Sequence, residues 1–262
     1  MRILAIGAHP DDCEYHFGGT AAKFARAGHE VKFLSMTNGD AGHHRQRGAE
    51  LAARRLVEAR EAARRLGIAA CEVLDNHDAE LLASLEVRHQ VVRAIRAWDA
   101  DLVFIHRPND YHPDHRYASI AVQDASYLIR VPNVAPDTPP LRKTPVFFYY
   151  EDNFERPAPF RPDVAVAIDD AWDAKVDSLD AHVSQFYEWL PWIEAGTEEV
   201  PLAAATRRDW LAQTYARPIR PAVHAALERR YGARAIAHAE AFELCEYGRR
   251  PSFDELPGLF PK

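Results

Sequence analysis

Two rhythms of apolar and polar positions alternate along the first half of the chain. Short apolar runs at Ile3 to Gly7, Val31 to Thr37, Glu72 to Leu74 and Leu102 to Ile105 read as strands. Between them lie longer stretches with helical spacing. Gly18 to Ala27 reads as a helix closed by Gly28, where a C-cap glycine belongs. Residues 46–66 carry Leu51, Ala52, Leu56, Ala59, Ala63 and Leu66 at helical intervals, with Glu50/Arg54, Arg54/Glu58 and Glu61/Arg65 as i,i+4 pairs on the wet side. Residues 84–98 form a further helix. A loop from Arg107 to Pro113 then leads into another, from about Asp114 to Arg130. This repeated strand–helix order predicts an α/β fold: a Rossmann-like, mostly parallel sheet with helices on both faces. Ligands of such sheets bind beyond the carboxyl ends of the strands.

Pro132, Pro136, Pro139, Pro140 and Pro145 punctuate the following loop. Val146 to Tyr150 and Val164 to Ile168 then read as strands, residues 171–186 as a helix, and Glu240 to Tyr247 as a late strand. We expect one domain over 1–262, with a core of about 1–130 and a smaller C-terminal part that completes and caps the site.

Composition narrows the function. A net charge of −7 gives no general attraction to nucleic acid or to anionic membranes. No stretch approaches the roughly 20 apolar residues of a membrane span, and the N-terminal apolar run is too short for a signal peptide. Cys13, Cys71 and Cys245 form neither a CxxC pair nor an even disulfide framework. These features predict a cytoplasmic protein with a small-molecule partner. They do not fix an oligomeric state, and a homo-oligomer remains open.

Two polar clusters follow strands, and both therefore belong to the same sheet edge. The first is Ala8-His9-Pro10-Asp11-Asp12-Cys13-Glu14. Pro and Asp are common in turns, and Asp12 can cap a helix, but a cap needs one carboxylate rather than two with a histidine. In an extended loop Asp11 and Asp12 point to opposite sides, so one can bind a metal while the other faces the metal's water. The second cluster is Asp110-Tyr111-His112-Pro113-Asp114-His115. His9, Asp12 and His115 supply a His-His-Asp set for a zinc site with one open position, the catalytic arrangement. His112 is left to donate a hydrogen bond or positive charge, and Asp114 to orient His112 or a ligand.

AHPDDxE (Ala8 to Glu14) followed by HPDH (His112 to His115) resembles the PIG-L/LmbE-like zinc-dependent de-N-acetylases, which remove acetyl groups from N-acetylated amino sugars and related amides. Phe17-Gly18-Gly19-Thr20, Thr37-Asn38-Gly39-Asp40, Arg55-Leu56-Val57-Glu58 and His182-Val183-Ser184-Gln185 resemble the family as well. The resemblance covers most of the chain and is densest over 1–130. It implies His9, Asp12 and His115 as Zn2+ ligands, Asp11 as general base, His112 as oxyanion stabiliser or general acid held by Asp114, and Arg55 as part of the sugar site. Asp110 stands where some sugar-specific members have tyrosine. His and carboxylate donors also suit Fe2+ or another divalent metal.

Read from its helix alone, Arg55 is a salt-bridge partner of Glu58 or a snorkelling side chain. His16, His43 and His44 read as surface or packing residues, Cys13 as a small buried filler, and Phe186 to Trp192 as helix-end packing more than a sugar platform. Arg207, Arg208, Arg229 and Arg230 read as solvated helix faces. Two other functions compete: a metal phosphoesterase, and a non-catalytic sugar- or nucleotide-binding module. The first would usually need a second metal. The second lacks both GxGxxG and GxxxxGK[ST] phosphate cradles.

Overall fold

A computed structural model describes residues 1–195, 200 and 203–262. The first half runs β1 (Arg2–Gly7), α1 (Asp12–Arg26), β2 (Glu30–Thr37), α2 (Gly48–Leu66), β3 (Ala70–Asn76), α3 (Leu85–Trp98), β4 (Leu102–Ile105) and α4 (Pro113–Leu128). After it come β5 (Val146–Tyr150), β6 (Val164–Ala167), α5 (Trp172–Ala181), α6 (Ala204–Thr214), α7 (Pro221–Tyr231) and β7 (Ala239–Cys245). The sheet order is β3-β2-β1-β4-β5-β7-β6. Strands β1 to β5 pair in parallel, and β7 is antiparallel to both β5 and β6. The mostly parallel α/β sheet expected from the sequence is therefore present.

Burial on both faces explains why the central strands β1 and β4 are apolar almost throughout. Leu4 and Ile6 of β1 pack with Val91, Ile95, Ala118 and Val122 of α3 and α4. Their neighbours Ile3 and Ala5 point the other way, to Phe17, Phe24, Phe104 and Phe242. The C-terminal half is tied into this frame through Glu240 of β7. Its carboxylate accepts the N–H groups of Gly19 and Thr20 at 3.0 and 2.7 Å, and the Lys175 ammonium at 2.6 Å.

The helix expected over 18–27 begins six residues earlier, at Asp12. The segment expected as one helix over 171–186 breaks at His182 (φ −85°, ψ 65°) and resumes with wide, π-helical turns over Ser184–Trp189 and Pro191–Ala195. Glu58, expected on a wet face, is buried: it accepts from Arg54, from the Ser184 N–H at 3.0 Å and from the Ser184 hydroxyl at 2.6 Å. Arg207 and Arg208, expected to be simply solvated, pair with Asp180 and Asp177.

The proline-rich loop is organised by Arg96. Its buried guanidinium donates to the carbonyls of Leu128, Ile129, Val131, Val134, Ala135 and Thr138 at 2.7 to 3.0 Å. The bonds to Ile129 and Ala135 are buried, so removing the donor leaves their carbonyls unpaired. Arg96→Ala is therefore expected to cost about 3 kcal/mol or more in urea unfolding, and Arg96→Lys to recover little, because an ammonium cannot span the fork.

Candidate functional site

Strand order reverses between β1 and β4, and the crevice beyond their carboxyl ends is where such sheets bind ligands. The loops after both strands converge there. At the end of β1 the chain turns at once: the His9 carbonyl accepts the N–H groups of Asp11 and Asp12, and the Asp12 carboxylate accepts the His9 N–H at 2.7 Å. A Cβ on Gly7 would lie 2.7 Å from that of Asp12, so a side chain there would push the carboxylate out of place. Asp12 is the first residue of α1, not part of an extended loop. The helix start, rather than strand-like alternation, sends the two carboxylates apart. Asp11 faces Arg55, while Asp12 faces His9, His106 and His115.

After β4, Pro113 opens α4 with His112 as its N-cap. His112 Nδ1 accepts the Asp114 N–H at 3.2 Å. His115, in the first turn, projects Nε2 to within 3.3 Å of His9 Nδ1 and 3.5 Å of an Asp12 oxygen, and His9 Nδ1 lies 3.5 Å from the other Asp12 oxygen. The expected trio is therefore brought together, with the two imidazole nitrogens 3.3 Å apart and Asp12 turning one carboxylate oxygen to each of them at 3.5 Å. A tetrahedral ion with arms of roughly 2.0–2.1 Å spaces its donors about 3.3–3.4 Å apart; the two histidines meet that spacing, and two imidazoles with a carboxylate are a donor set that suits zinc. Among the described residues, three trios of ligand atoms, one atom from each residue, lie within 4.8 Å of one another: His9, His112 and His115; Asp12, His106 and His115; His9, Asp78 and Asp114.

Asp114 was expected to orient His112 or a ligand, and the structure places it against both His112 and His9. It holds His112 through its backbone N–H, whereas its carboxylate accepts from Ala79 and Leu81 at 2.7 and 3.2 Å and lies 3.4 Å from His9 Nε2. Those bonds support Ala79 at φ 68° and bring Asp78 within 3.1 Å of His9 Nε2. Arg55 departs from the reading of its helix alone. It is buried and pairs with Asp11 at 3.3 Å and Asp78 at 3.6 Å, and it donates to the carbonyls of Gly39 and Pro10. Arg54, not Arg55, takes Glu58. Gly39, at φ +72°, leaves the room: a Cβ there would meet the Arg55 guanidinium at 2.5 Å.

Burial sets the electrostatics. It pushes the Asp11 carboxyl up to about 6 although Arg55 opposes it. His112 is pushed down to about 4 by burial and then by the charges of His9 and His115. Burial works against a charge on His9, but Asp114, Asp12 and Asp78 outweigh it and hold its pKa well above the usual value.

Sequence reasoning missed Asp78 and His106. His106 follows β4 directly, with Nε2 3.2 Å from Asp12 and its ring stacked on His115 at 4.1 Å. The same edge rule that placed the two motifs would have flagged both residues, since each follows a strand. Above the polar floor opens a cavity of about 710 Å³. Tyr15, Tyr111, Phe154, Phe186, Trp189, Trp210 and Tyr215 line it, together with Arg217. His16, read as packing, also reaches it, and Phe186, Trp189 and Pro191 place part of the aromatic run on its wall.

The comparisons with known proteins bear on this same region. The family described as PIG-L, GlcNAc-PI de-N-acetylase, matches residues 4–126. The diacetylchitobiose deacetylase of Thermococcus kodakarensis is 33% identical over an alignment of 203 residues that covers 73% of each chain. The chain belongs to the PIG-L family of de-N-acetylases, enzymes that cleave a linear C–N amide bond. Among solved structures, an inhibitor complex of N,N'-diacetylchitobiose deacetylase from Pyrococcus horikoshii superposes with a TM-score of 0.72 at 26% identity, covering 94% of this chain and 84% of that one. The 4-carboxy-2-hydroxymuconate hydratase of Pseudomonas putida shares the fold at a TM-score of 0.73 and 21% identity, over 96% and 98% of the two chains. Fold alone therefore does not fix the reaction; the side chains of the site do. Among the described residues, no helix is long and apolar enough to cross a membrane.

Proposed function

We propose that this chain removes the acetyl group from an N-acetylated amine, an N-acetylglucosamine-type sugar or glycoside, by metal-dependent hydrolysis. The observation that carries the reading is that His9 and His115 meet at 3.3 Å with the Asp12 carboxylate against both, and that Asp11 lies beside them on the floor of an aromatic-walled cavity. These three residues would hold Zn2+, which when bound polarises the amide carbonyl and lowers the pKa of its water to roughly 7.

The other residues then have distinct work. Asp11 accepts a proton from the attacking water, and Arg55 keeps its carboxylate aimed while lining the sugar site. Because His112 Nδ1 is occupied by a backbone N–H, the neutral ring carries its proton on Nε2. From there it donates to the carbonyl oxygen as charge develops. Asp11, protonated after the attack and with a pKa raised by burial, is the better acid for the departing amine; neutral His112 is a poor one. The segments 185–194 and 210–217 complete the cavity, so we read 1–262 as one catalytic domain with a C-terminal cap.

Zinc-loaded protein incubated with N-acetylated monosaccharides, chito-oligosaccharides and simple amides is expected to release primary amine and acetate in equal amounts, fastest from the sugars. Phosphate release from phosphoesters, or sugar binding without turnover, would overturn the reading in favour of a phosphoesterase or a binding module.

A further inference from the structure

Asp110 occupies the loop between β4 and α4, and one of its carboxylate oxygens does two things. Oδ1 lies 3.1 Å from His115 Nδ1, and it accepts the backbone N–H of His112 at 3.0 Å. The side chain is only 9% exposed. The loop is fastened from behind, where Arg116 donates to the carbonyls of Asp110 and Tyr111 at 2.7 and 3.0 Å. A neutral imidazole carries one proton. With Nδ1 against a carboxylate the proton belongs there, and Nε2 keeps its lone pair. That Nε2 is the atom directed at His9 Nδ1 and Asp12. The bond to the His112 N–H meanwhile fixes the backbone at the start of α4, from which the His112 ring hangs.

We propose that Asp110 is a positioning residue that sets the tautomer and direction of His115 and anchors His112, so that a single carboxylate oxygen joins the metal site to the histidine on the carbonyl side. This inference rests on the reading of His115 as a metal ligand. Asp114, the carboxylate two residues past His112, is occupied with the 79–81 loop and His9, so it does not duplicate the role. Carboxylate partners of metal-bound histidines raise ligand basicity, and their loss commonly weakens metal binding 10- to 100-fold.

The test uses the full chain with Asp110→Ala, Asp110→Asn and His115→Ala. Zinc affinity is read by chelator competition and ligand geometry from the visible absorption of the cobalt-substituted protein. We expect Asp110→Ala to bind zinc about 10- to 100-fold more weakly, with a shifted cobalt spectrum and a fall in kcat that exceeds any change in KM. Asp110→Asn, which keeps an acceptor oxygen, should restore part of the affinity and of the spectrum, and it serves if the alanine variant does not fold. A role confined to loop stability would lower the thermal midpoint and leave the cobalt spectrum of the folded variants unchanged. Wild-type affinity and spectrum in both Asp110 variants, with metal lost in His115→Ala, would overturn the role of Asp110 while leaving the metal site intact. Wild-type affinity in His115→Ala would overturn the site reading and this inference together.

Discussion

Asp11→Asn is expected to lower kcat/KM for an N-acetylated sugar by roughly 10²- to 10⁴-fold, the usual contribution of a general base, at unchanged zinc content. The substitution preserves shape. An amide oxygen can still accept from Arg55, 3.3 Å from the carboxylate, so the turn at His9 and the start of α1 should persist. What disappears is the ability to take a proton from water and return it to the amine. Initial rates measured at equal zinc occupancy, alongside metal analysis, separate this outcome from its competitor. If activity fell only in proportion to lost zinc, Asp11 would be a ligand and Asp12 would have to be the base. The geometry argues against that exchange: Asp12 faces His9, His106 and His115, whereas Asp11 faces Arg55. Asp11→Ala should behave worse than Asp11→Asn, because it also takes from a buried guanidinium the nearer of its two carboxylate partners.

What was legible in the sequence follows from which forces are local. Leu102–Ile105 was read to the residue because a strand buried on both faces has nothing but apolar side chains, and polar residues bound it. Placing both motifs at one edge needed only strand order and parallel pairing. Local pattern failed where a tertiary contact decides. The start of α1 was placed too late because Asp12 to Phe17 mix polar and apolar residues without a clean stripe, its polar members Asp12 and Glu14 being buried for the sake of the site. Arg55 looked like a partner for Glu58, four positions removed from Arg54 and three from itself. Its real partners, Asp11 and Asp78, come from two other loops. Glu58 in turn is claimed by Ser184, 126 positions away. The break at His182 cannot be read from helical spacing either: its ring is fully buried with Nε2 3.4 Å from Glu14 of α1, and the backbone leaves the helical region there.

His115→Ala is expected to abolish stoichiometric zinc binding, weakening it by more than about 100-fold, the upper range for losing a mere supporting group, and to reduce activity to background. Its value lies in the comparison with two neighbours, because the site offers more than one set of donors. If His9, His112 and His115 held the ion, His112→Ala would lose zinc as His115→Ala does. If Asp12, His106 and His115 held it, His106→Ala would. The geometry favours a different pattern. His112 Nδ1 is spent on the Asp114 N–H, and His106 Nε2 is directed at the Ala8 N–H and an Asp12 oxygen. His9 Nδ1 and His115 Nε2, by contrast, face each other and Asp12, and the outer faces of both rings are backed by carboxylates: His9 by Asp78 and Asp114, His115 by Asp110. His112→Ala should therefore keep its zinc and lose on the order of 10²- to 10³-fold in kcat, the cost of one oxyanion donor. His106→Ala should keep zinc with reduced affinity, since it supports Asp12 rather than the ion. Chelation of the wild type should mimic His115→Ala and reverse on adding zinc. Because the ion binds only the folded chain, chelation should also lower the thermal midpoint, by the equivalent of about 2.7 kcal/mol where free zinc stood at a hundred times its Kd. A chelated protein with full activity and an unchanged midpoint would remove the metal from the mechanism altogether.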